Sequence, residues 1–285
     1  MAACVSRAVL TALIAFGAWS LAPSAGAQVP QVPQPPAAKP EMMTNCPGLI
    51  SLDRPRVIPA AFSVSLKHDQ ARITYMGHST FLIESPQLVR MATDYNDYVR
   101  SPVLPDIVTM NRAHTTHYTD RPDPAIRHVL RGWGPTSEQP ARHDMSFKDV
   151  RVRNVPTNIR SWAGATERHG NSIFIFEMAS LCIAHLGHLH HTLTQAQLNE
   201  IGRIDAVMVP VDGGMTLDLE GMMEVLTALK APVMIPMHYF SAYTLHRFLE
   251  RAKASWDVEV AEIPSVVLSK TTLPAKPKVL VLPGR

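Results

Sequence analysis

The sequence has no long run of lysine or arginine and no basic stripe interleaved with aromatic side chains, although its formal net charge is +3 and its pI about 8.8. Nucleic-acid-binding surfaces usually carry such a patch or stripe to follow the phosphate backbone. Nucleic acid is therefore not expected as a partner. The remaining composition, 46% hydrophobic and 18% charged over 285 residues, is that of an ordinary globular protein.

Cysteine is also scarce, with three residues in the chain. Cys4 lies in the N-terminal segment discussed next, so Cys46 and Cys182 would remain in a processed protein. Cys182 lies in the apolar run 180–184 and is expected to be a buried thiol of a strand. A disulfide with Cys46 stays open, because sequence spacing does not reveal whether the geometry permits one.

A long apolar stretch occurs near the N-terminus, at residues 8–21, but it is too short to span a bilayer comfortably. Arg7 precedes it, and the Ala-Gly-Ala sequence at 25–27 fits a signal-peptidase site. We expect residues 1–27 to be a signal peptide. The mature protein would then begin at Gln28 and be periplasmic or secreted, with no stable membrane insertion; an uncleaved anchor is the alternative.

The rest of the chain divides into a tether and one domain. Residues 28–45 are rich in proline and glutamine and lack the apolar side chains needed to fold. In residues 46–285, several strands come first and strands alternating with helices follow, which predicts an α/β protein with sheets covered by helices. The stretch 73–84 predicts two strands around a Gly-His turn, and Thr194 with Gln197 predicts a capping box. Further strands are expected at 88–93, 106–110, 150–155, 172–177, 181–184, 206–210 and 233–237, and further helices at 219–229 and 243–253.

Histidine is abundant, with 13 residues, and three clusters directly follow apolar strands, at 112–117, 185–191 and 236–238. Because the ends of adjacent strands meet at one rim of a sheet, these clusters are expected to converge. A neutral imidazole offers one directed lone pair and suits zinc and its neighbours among the first-row metals. Isolated histidines are instead expected to be structural or on the surface, namely His68, His128, His143, His169 and His246.

This layout resembles the metallo-β-lactamase superfamily and, within it, the ascorbate-6-phosphate lactonase-like hydrolases. The matching stretches are 73–84, 106–110, 184–187 and 235–239, and the resemblance covers about residues 70–240. It implies a four-layer αββα sandwich with a metal site on one edge of the two sheets. It also implies metal-dependent hydrolysis of a small-molecule substrate.

The chain departs from the family's first metal motif, which reads His-x-His-x-Asp-His. Here Arg112 stands in place of the first histidine and Thr116 in place of the aspartate, whereas His114 and His117 remain. The family's first metal position would therefore lose part of its ligand set, and we do not expect it to be filled.

The later motifs depart as well. The family's metal-bridging aspartate aligns with His188, its isolated histidine has no counterpart near 154–158, and its final histidine is His238. A neutral imidazole has a single acceptor nitrogen and cannot bridge two metals. We expect one zinc per chain, or another first-row divalent metal, held by His117, His188 and His238 with a position open for water. His114 would be a fourth ligand or an acid–base group.

Three residues are predicted to act in catalysis: Arg112, His114 and Asp94. The Arg112 guanidinium would hold a carboxylate, a phosphate or a developing oxyanion, although an ion pair with Asp94 or another loop carboxylate is equally open. Asp94 follows a strand where the family carries an acidic residue and would orient a ligand histidine. His78 is expected to shape the floor of the site rather than bind metal, and His185 to support the ligands.

Two functions remain open from the sequence. The first is a metal-dependent hydrolase that uses a metal-bound water on a small ester, lactone or phosphodiester. The second is a non-catalytic metal- or ligand-binding protein whose hydrolase site has decayed. The loss of carboxylates at Thr116 and His188 favours decay, whereas the retained histidines favour a rebuilt site. Neither the substrate nor the oligomeric state is indicated, since a fold does not fix a function.

Overall fold

A computed structural model describes residues 65–161 and 164–284 of the chain. The predicted signal peptide, the tether and Cys46 lie outside the described residues. The helices are α1 (Gln195–Ile201), α2 (Leu219–Leu229) and α3 (Ala242–Ala252). The strands are β1 (Gln70–Gly77), β2 (Thr80–Glu84), β3 (Arg90–Ala92), β4 (Ile107–Met110), β5 (His128–Arg131), β6 (Asp144–Phe147), β7 (Val150–Arg160), β8 (Thr166–Met178), β9 (Leu181–His185), β10 (Ala206–Pro210), β11 (Val233–Met237), β12 (Asp257–Val260), β13 (Ser265–Ser269) and β14 (Lys278–Val281).

The strands form two sheets that face each other. The first has the order β13-β1-β2-β3-β4-β5 and the second the order β12-β14-β11-β10-β9-β8-β7-β6. Alternate apolar side chains point into the space between the sheets, such as Ile73 and Phe81 from the first and Phe174 and Phe176 from the second, all fully buried. Removing this surface from water, at about 25 cal/mol per Å², is the main stabilisation of the stacked sheets.

The helices cover the other face of the eight-stranded sheet. Met222 and Leu226 of α2 and Phe248 of α3 pack into one buried cluster with Val207 and Met234 of the sheet. The central strands are therefore buried on both faces, which is why β10 and β11 are continuous apolar runs. The predicted α/β class with two stacked sheets is confirmed. Among the described residues, the outer face of the six-stranded sheet carries a smaller cluster, made of Ala92, Tyr95, Val108, Met110, Ile126, Tyr118, Val129 and Trp133.

Local sequence signals predicted several elements closely. Helix α1 begins after Thr194 with the expected capping box to Gln197 and ends at Gly202. Strands β7 and β8 run further than predicted, because they continue as a hairpin paired up to Arg160 and Thr166. The prediction missed β5, β6, β12, β13 and β14.

The topology brings several loops to one edge. Strands β9, β10 and β11 are parallel neighbours, so the segments after His185, Pro210 and Met237 leave the same edge of the eight-stranded sheet. The β1–β2 turn lies beside them, since the His238 amide donates to the His78 carbonyl. None of the described helices combines the length and the hydropathy that a membrane-spanning helix requires.

Candidate metal centre

Histidines from four separate segments converge at this edge. Neighbouring rings lie from 4.3 Å (His78–His238) to 6.0 Å (His78–His114) apart between centroids. The three clusters expected to converge therefore do so, and the β1–β2 turn joins them. The five rings are those of His78, His114, His117, His188 and His238.

Four of these histidines are placed to share one metal ion. His78, His114, His117 and His238 each offer one ring nitrogen, and these nitrogens all lie within 4.8 Å of one another. The sequence placed His78 on the floor of the site instead. The signal for it was the Gly-His-Ser turn, which sets the ring against the end of β11.

His188 gives the clearest indication that a metal ion fits this cluster. Its side chain is buried, and neither ring nitrogen has a hydrogen-bond partner among the described residues. The ring centroid lies 5.0 to 5.1 Å from those of His114, His117 and His238. Leaving a buried polar atom without a partner costs about 1–3 kcal/mol, so a metal ion that accepts this lone pair fits the position.

Asp94 lies behind His117. Its Oδ2 is 2.5 Å from the Nδ1 of His117, and its Oδ1 accepts from Asn111 at 2.9 Å. Burial raises the pKa of the Asp94 carboxyl above its ordinary value, while hydrogen bonds from Asn111 and Ser79 act in the opposite direction. Contact with one imidazole nitrogen leaves Nε2 to face the cluster, as a carboxylate that supports a metal ligand does.

Asp212 makes the corresponding contact behind His238, and the sequence analysis did not identify it. Its Oδ1 is 3.1 Å from the Nδ1 of His238. Burial alone would raise the pKa of Asp212, but hydrogen bonds from His238 and Thr216 outweigh it and hold that pKa below the ordinary value. The available signal was its place two residues after the end of the apolar strand β10, close to a strand end like the histidine clusters.

The two nitrogens that face each other across the cluster also suit a cation. His117 Nε2 and His238 Nε2 lie 3.1 Å apart. When each Nδ1 donates its proton to a carboxylate, both Nε2 atoms are acceptors and cannot bond to each other. A divalent ion bound by both resolves this conflict.

Thr116, at the position of the family's aspartate, links two of the rings. Its hydroxyl oxygen is 2.9 Å from His78 Nε2 and 2.7 Å from His114 Nδ1. A hydroxyl carries one proton, so it donates to one ring and accepts from the other. Thr116 therefore positions two imidazoles instead of supplying a charged oxygen.

Three of the nine described non-glycine residues with a left-handed φ lie at the same place. His78, Asp94 and His238 have left-handed φ angles of 52°, 42° and 56°. Non-glycine residues in this region cost about 1–3 kcal/mol each when sparsely populated, and such strain clusters at functional sites. The fold thus holds these three side chains at an energetic cost.

Arg112 and His185 each pair with protein groups other than the five clustered histidines. The Arg112 side chain is 53% exposed and lies 3.8 Å from Glu167 of β8, so its ion-pair partner is a strand carboxylate and not Asp94 or another loop carboxylate. His185 is buried; its Nε2 lies 2.8 Å from the Ser79 carbonyl, and its Nδ1 accepts from the Gly187 amide. Both of its ring nitrogens are thus occupied inside the protein.

With this geometry in view, comparison with known proteins identifies the family. The family model described as a β-lactamase superfamily domain matches residues 72–238, which is more than half of the chain. The chain belongs to this superfamily.

Two curated relatives carry the name UPF0173 metal-dependent hydrolase. One, from Archaeoglobus fulgidus, is 25% identical over 59% of this chain and 83% of its own length. The other, from Methanosphaerula palustris, is 24% identical over 68% of this chain and 97% of its own length.

Solved structures agree on the fold. A candidate Zn-dependent hydrolase of the metallo-β-lactamase superfamily from Thermotoga maritima is 27% identical with a TM-score of 0.57, and the match covers 75% of this chain and 100% of that one. Igni18, a metallo hydrolase from Ignicoccus hospitalis, has a TM-score of 0.51 at 17% identity over 70% and 99% of the two chains.

Proposed function

We propose that this protein is a hydrolase that uses one zinc ion, held by the converging histidines, to cleave a small ester, lactone or phosphodiester. The observation that carries the proposal is His188, whose two ring nitrogens are buried without partners beside three other imidazoles. The superfamily membership and the named relatives support metal-dependent hydrolysis.

The donor set favours one metal rather than two. The candidate ligands among the described residues are all imidazoles, and an imidazole has no second lone pair with which to bridge. The nearby carboxylates of Asp94 and Asp212 already contact His117 and His238. We therefore assign His117, His188 and His238 as ligands, which leaves a position for water, with His114 as a fourth ligand or an acid–base group and His78 as a further candidate.

When bound, a zinc ion would supply Lewis acidity, which polarises a carbonyl or phosphoryl oxygen and lowers the pKa of water to about 7. The protein's own side chains would orient the ligand nitrogens and the substrate. Burial lowers the pKa of His114 to about 3, so its ring is neutral at pH 7 and offers a lone pair. We propose that Arg112 exchanges Glu167 for the charged group of the substrate.

Metal analysis of protein purified without chelator, together with hydrolysis assays on lactones, esters and phosphodiesters, tests the proposal. We expect close to one zinc per chain and turnover that chelator abolishes and zinc restores. A content near two would overturn the mononuclear assignment. Protein that takes up no zinc would overturn the function.

The non-catalytic alternative rests on the same substitutions, since Thr116 and His188 stand where the family has carboxylates. It predicts bound metal without metal-dependent turnover on any of the three substrate classes. One zinc per chain with no turnover would therefore favour a binding protein.

Export is a separate part of the proposal. We propose cleavage after Ala27 and a periplasmic or secreted protein, on the grounds of the N-terminal sequence pattern. Mass spectrometry of the protein recovered outside the cytoplasm should show Gln28 as the first residue, and an intact Met1 would contradict it.

A further inference from the structure

Asp212 lies in the loop after β10 and is buried. We propose that Asp212 is a positioning residue: it holds the Nδ1 proton of His238 and so directs the His238 Nε2 lone pair at the metal. This inference rests on the proposed metal site and adds a residue to it.

The hydrogen bonds of Asp212 determine which atom carries the proton. Its Oδ2 accepts backbone amides from Gly214 at 3.0 Å, Met215 at 2.5 Å and Thr216 at 3.1 Å. Its Oδ1 accepts the Thr216 hydroxyl and lies 3.1 Å from His238 Nδ1. A carboxylate with donors on both oxygens is acceptor-only, so the proton of this last bond belongs to the imidazole.

Asp212 thereby matches Asp94 on the opposite side of the cluster. Asp94 Oδ2 contacts His117 Nδ1 at 2.5 Å, and the Nε2 atoms of His117 and His238 face each other at 3.1 Å. Each carboxylate sets the tautomer of one ring. The two together place a pair of lone pairs where one ion can accept both.

Asp94 and Asp212 would also balance the charge of a bound metal ion. The candidate ligands among the described residues are all imidazoles, and an imidazole binds a metal in its neutral form, so a divalent ion would add two positive charges to the site. Asp94 and Asp212 are buried carboxylates and lie one imidazole away. Carboxylates behind histidine ligands also raise the basicity of the ring that binds.

The Asp212→Asn variant tests this role, because an amide has one acceptor oxygen and cannot serve both the loop amides and His238. We expect zinc affinity, measured by competition with a chromophoric chelator, to fall about 10- to 100-fold. One control should keep wild-type affinity. Asp218→Asn makes the same chemical change at the α2 N-cap, away from His238.

Unchanged zinc affinity in a folded Asp212→Asn protein, with only a lower melting temperature, would overturn the proposal. Equal weakening by Asp218→Asn would do so too, because a general effect of the charge change would then explain the result. If Asp212→Asn does not fold, nitrogen-15 NMR of wild-type His238 decides: protonated Nδ1 supports the proposal and protonated Nε2 refutes it. That measurement also works on metal-free protein, so it stands even if the wild type binds no zinc and the proposed function fails.

Discussion

The two ends of the β1–β2 hairpin treat buried polar groups in opposite ways. At the open end, Arg72 and Glu84 form a buried ion pair at 3.2 Å, and Arg90 lies 3.6 Å from the other oxygen of Glu84. At the turn end, His78 joins a histidine cluster in which the ring nitrogens of His188 have no partner among the described residues. At the first end, opposite charges lie beside each other inside the protein, although Glu84 Oε1 and Arg90 Nε make no hydrogen bond. At the second end, the ring nitrogens fit an ion from outside.

The largest effect on stability is expected at the open end of the hairpin, where Glu84 faces the two arginines. Glu84→Gln removes the carboxylate charge that faces two arginines, and breaking a buried ion pair costs about 3–5 kcal/mol. Urea denaturation should show this loss while zinc content stays unchanged. A loss below about 1 kcal/mol would mean that this end is no better compensated than a surface ion pair.

His185 sharpens the comparison, because it lies beside the cluster but is satisfied internally. Burial lowers its pKa from 6.5 to about 4. The unfolded chain therefore takes up a proton more readily, so stability is full above about pH 6.5 and falls as the pH drops towards 4. At about 1.4 kcal/mol per pKa unit, the free energy of unfolding lost through this histidine on acidification is about 3 kcal/mol.

The His185→Gln variant removes this titration, and denaturation between pH 4 and 7 should show a flatter acid limb than in wild type. His246→Gln, an exposed change on α3, is the control and should keep the wild-type slope. An identical acid limb in the His185→Gln protein would contradict the assignment.

Zinc should stabilise the folded protein by binding at the turn end of the hairpin. At a free zinc concentration of 100 times the dissociation constant, the folded state gains about 2.7 kcal/mol. His188→Ala should lose most of this gain, as measured by thermal unfolding with and without zinc, whereas His246→Ala should keep it. Full metal content in the His188→Ala protein would exclude His188 as a ligand.

Asp94→Asn should have a smaller effect, because it keeps every ligand and changes only the support of His117. We expect zinc affinity to fall about 10- to 100-fold, or about 1.4–2.7 kcal/mol. Chelator competition measures it. Affinity equal to that of the wild type would show that the buried Asp94–His117 contact serves folding alone.

Arg112→Ala should have the smallest effect on stability, below about 1 kcal/mol, because its ion pair with Glu167 is half exposed. If Arg112 acts on the substrate as proposed, turnover should nevertheless fall about 100- to 1000-fold with zinc content unchanged. Arg112→Lys should restore only part of the turnover, since an ammonium lacks the planar pair of N–H donors of a guanidinium. Unchanged turnover in Arg112→Ala would remove it from the catalytic set.

The sequence by itself determined the regular elements with strong local signals and the edge where the histidines meet. The apolar runs of β10 and β11, the capping box of α1 and the histidines after three strands each depend on residues close together in the chain. Short strands such as β12, which is mostly exposed and lies at a sheet edge, carry no such pattern. Pairing with a distant strand defines them.

Only the tertiary structure decided which side chains meet within that edge. His117 and His238 are 121 residues apart in the chain. The contact of Asp212 with His238 joins two loops, and that of Arg112 with Glu167 joins a loop to strand β8. The backbone angles of those loops, including the left-handed φ of His78, fix these pairings. Sequence periodicity reports which face of an element is apolar, but the relative placement of loops depends on how the two sheets stack.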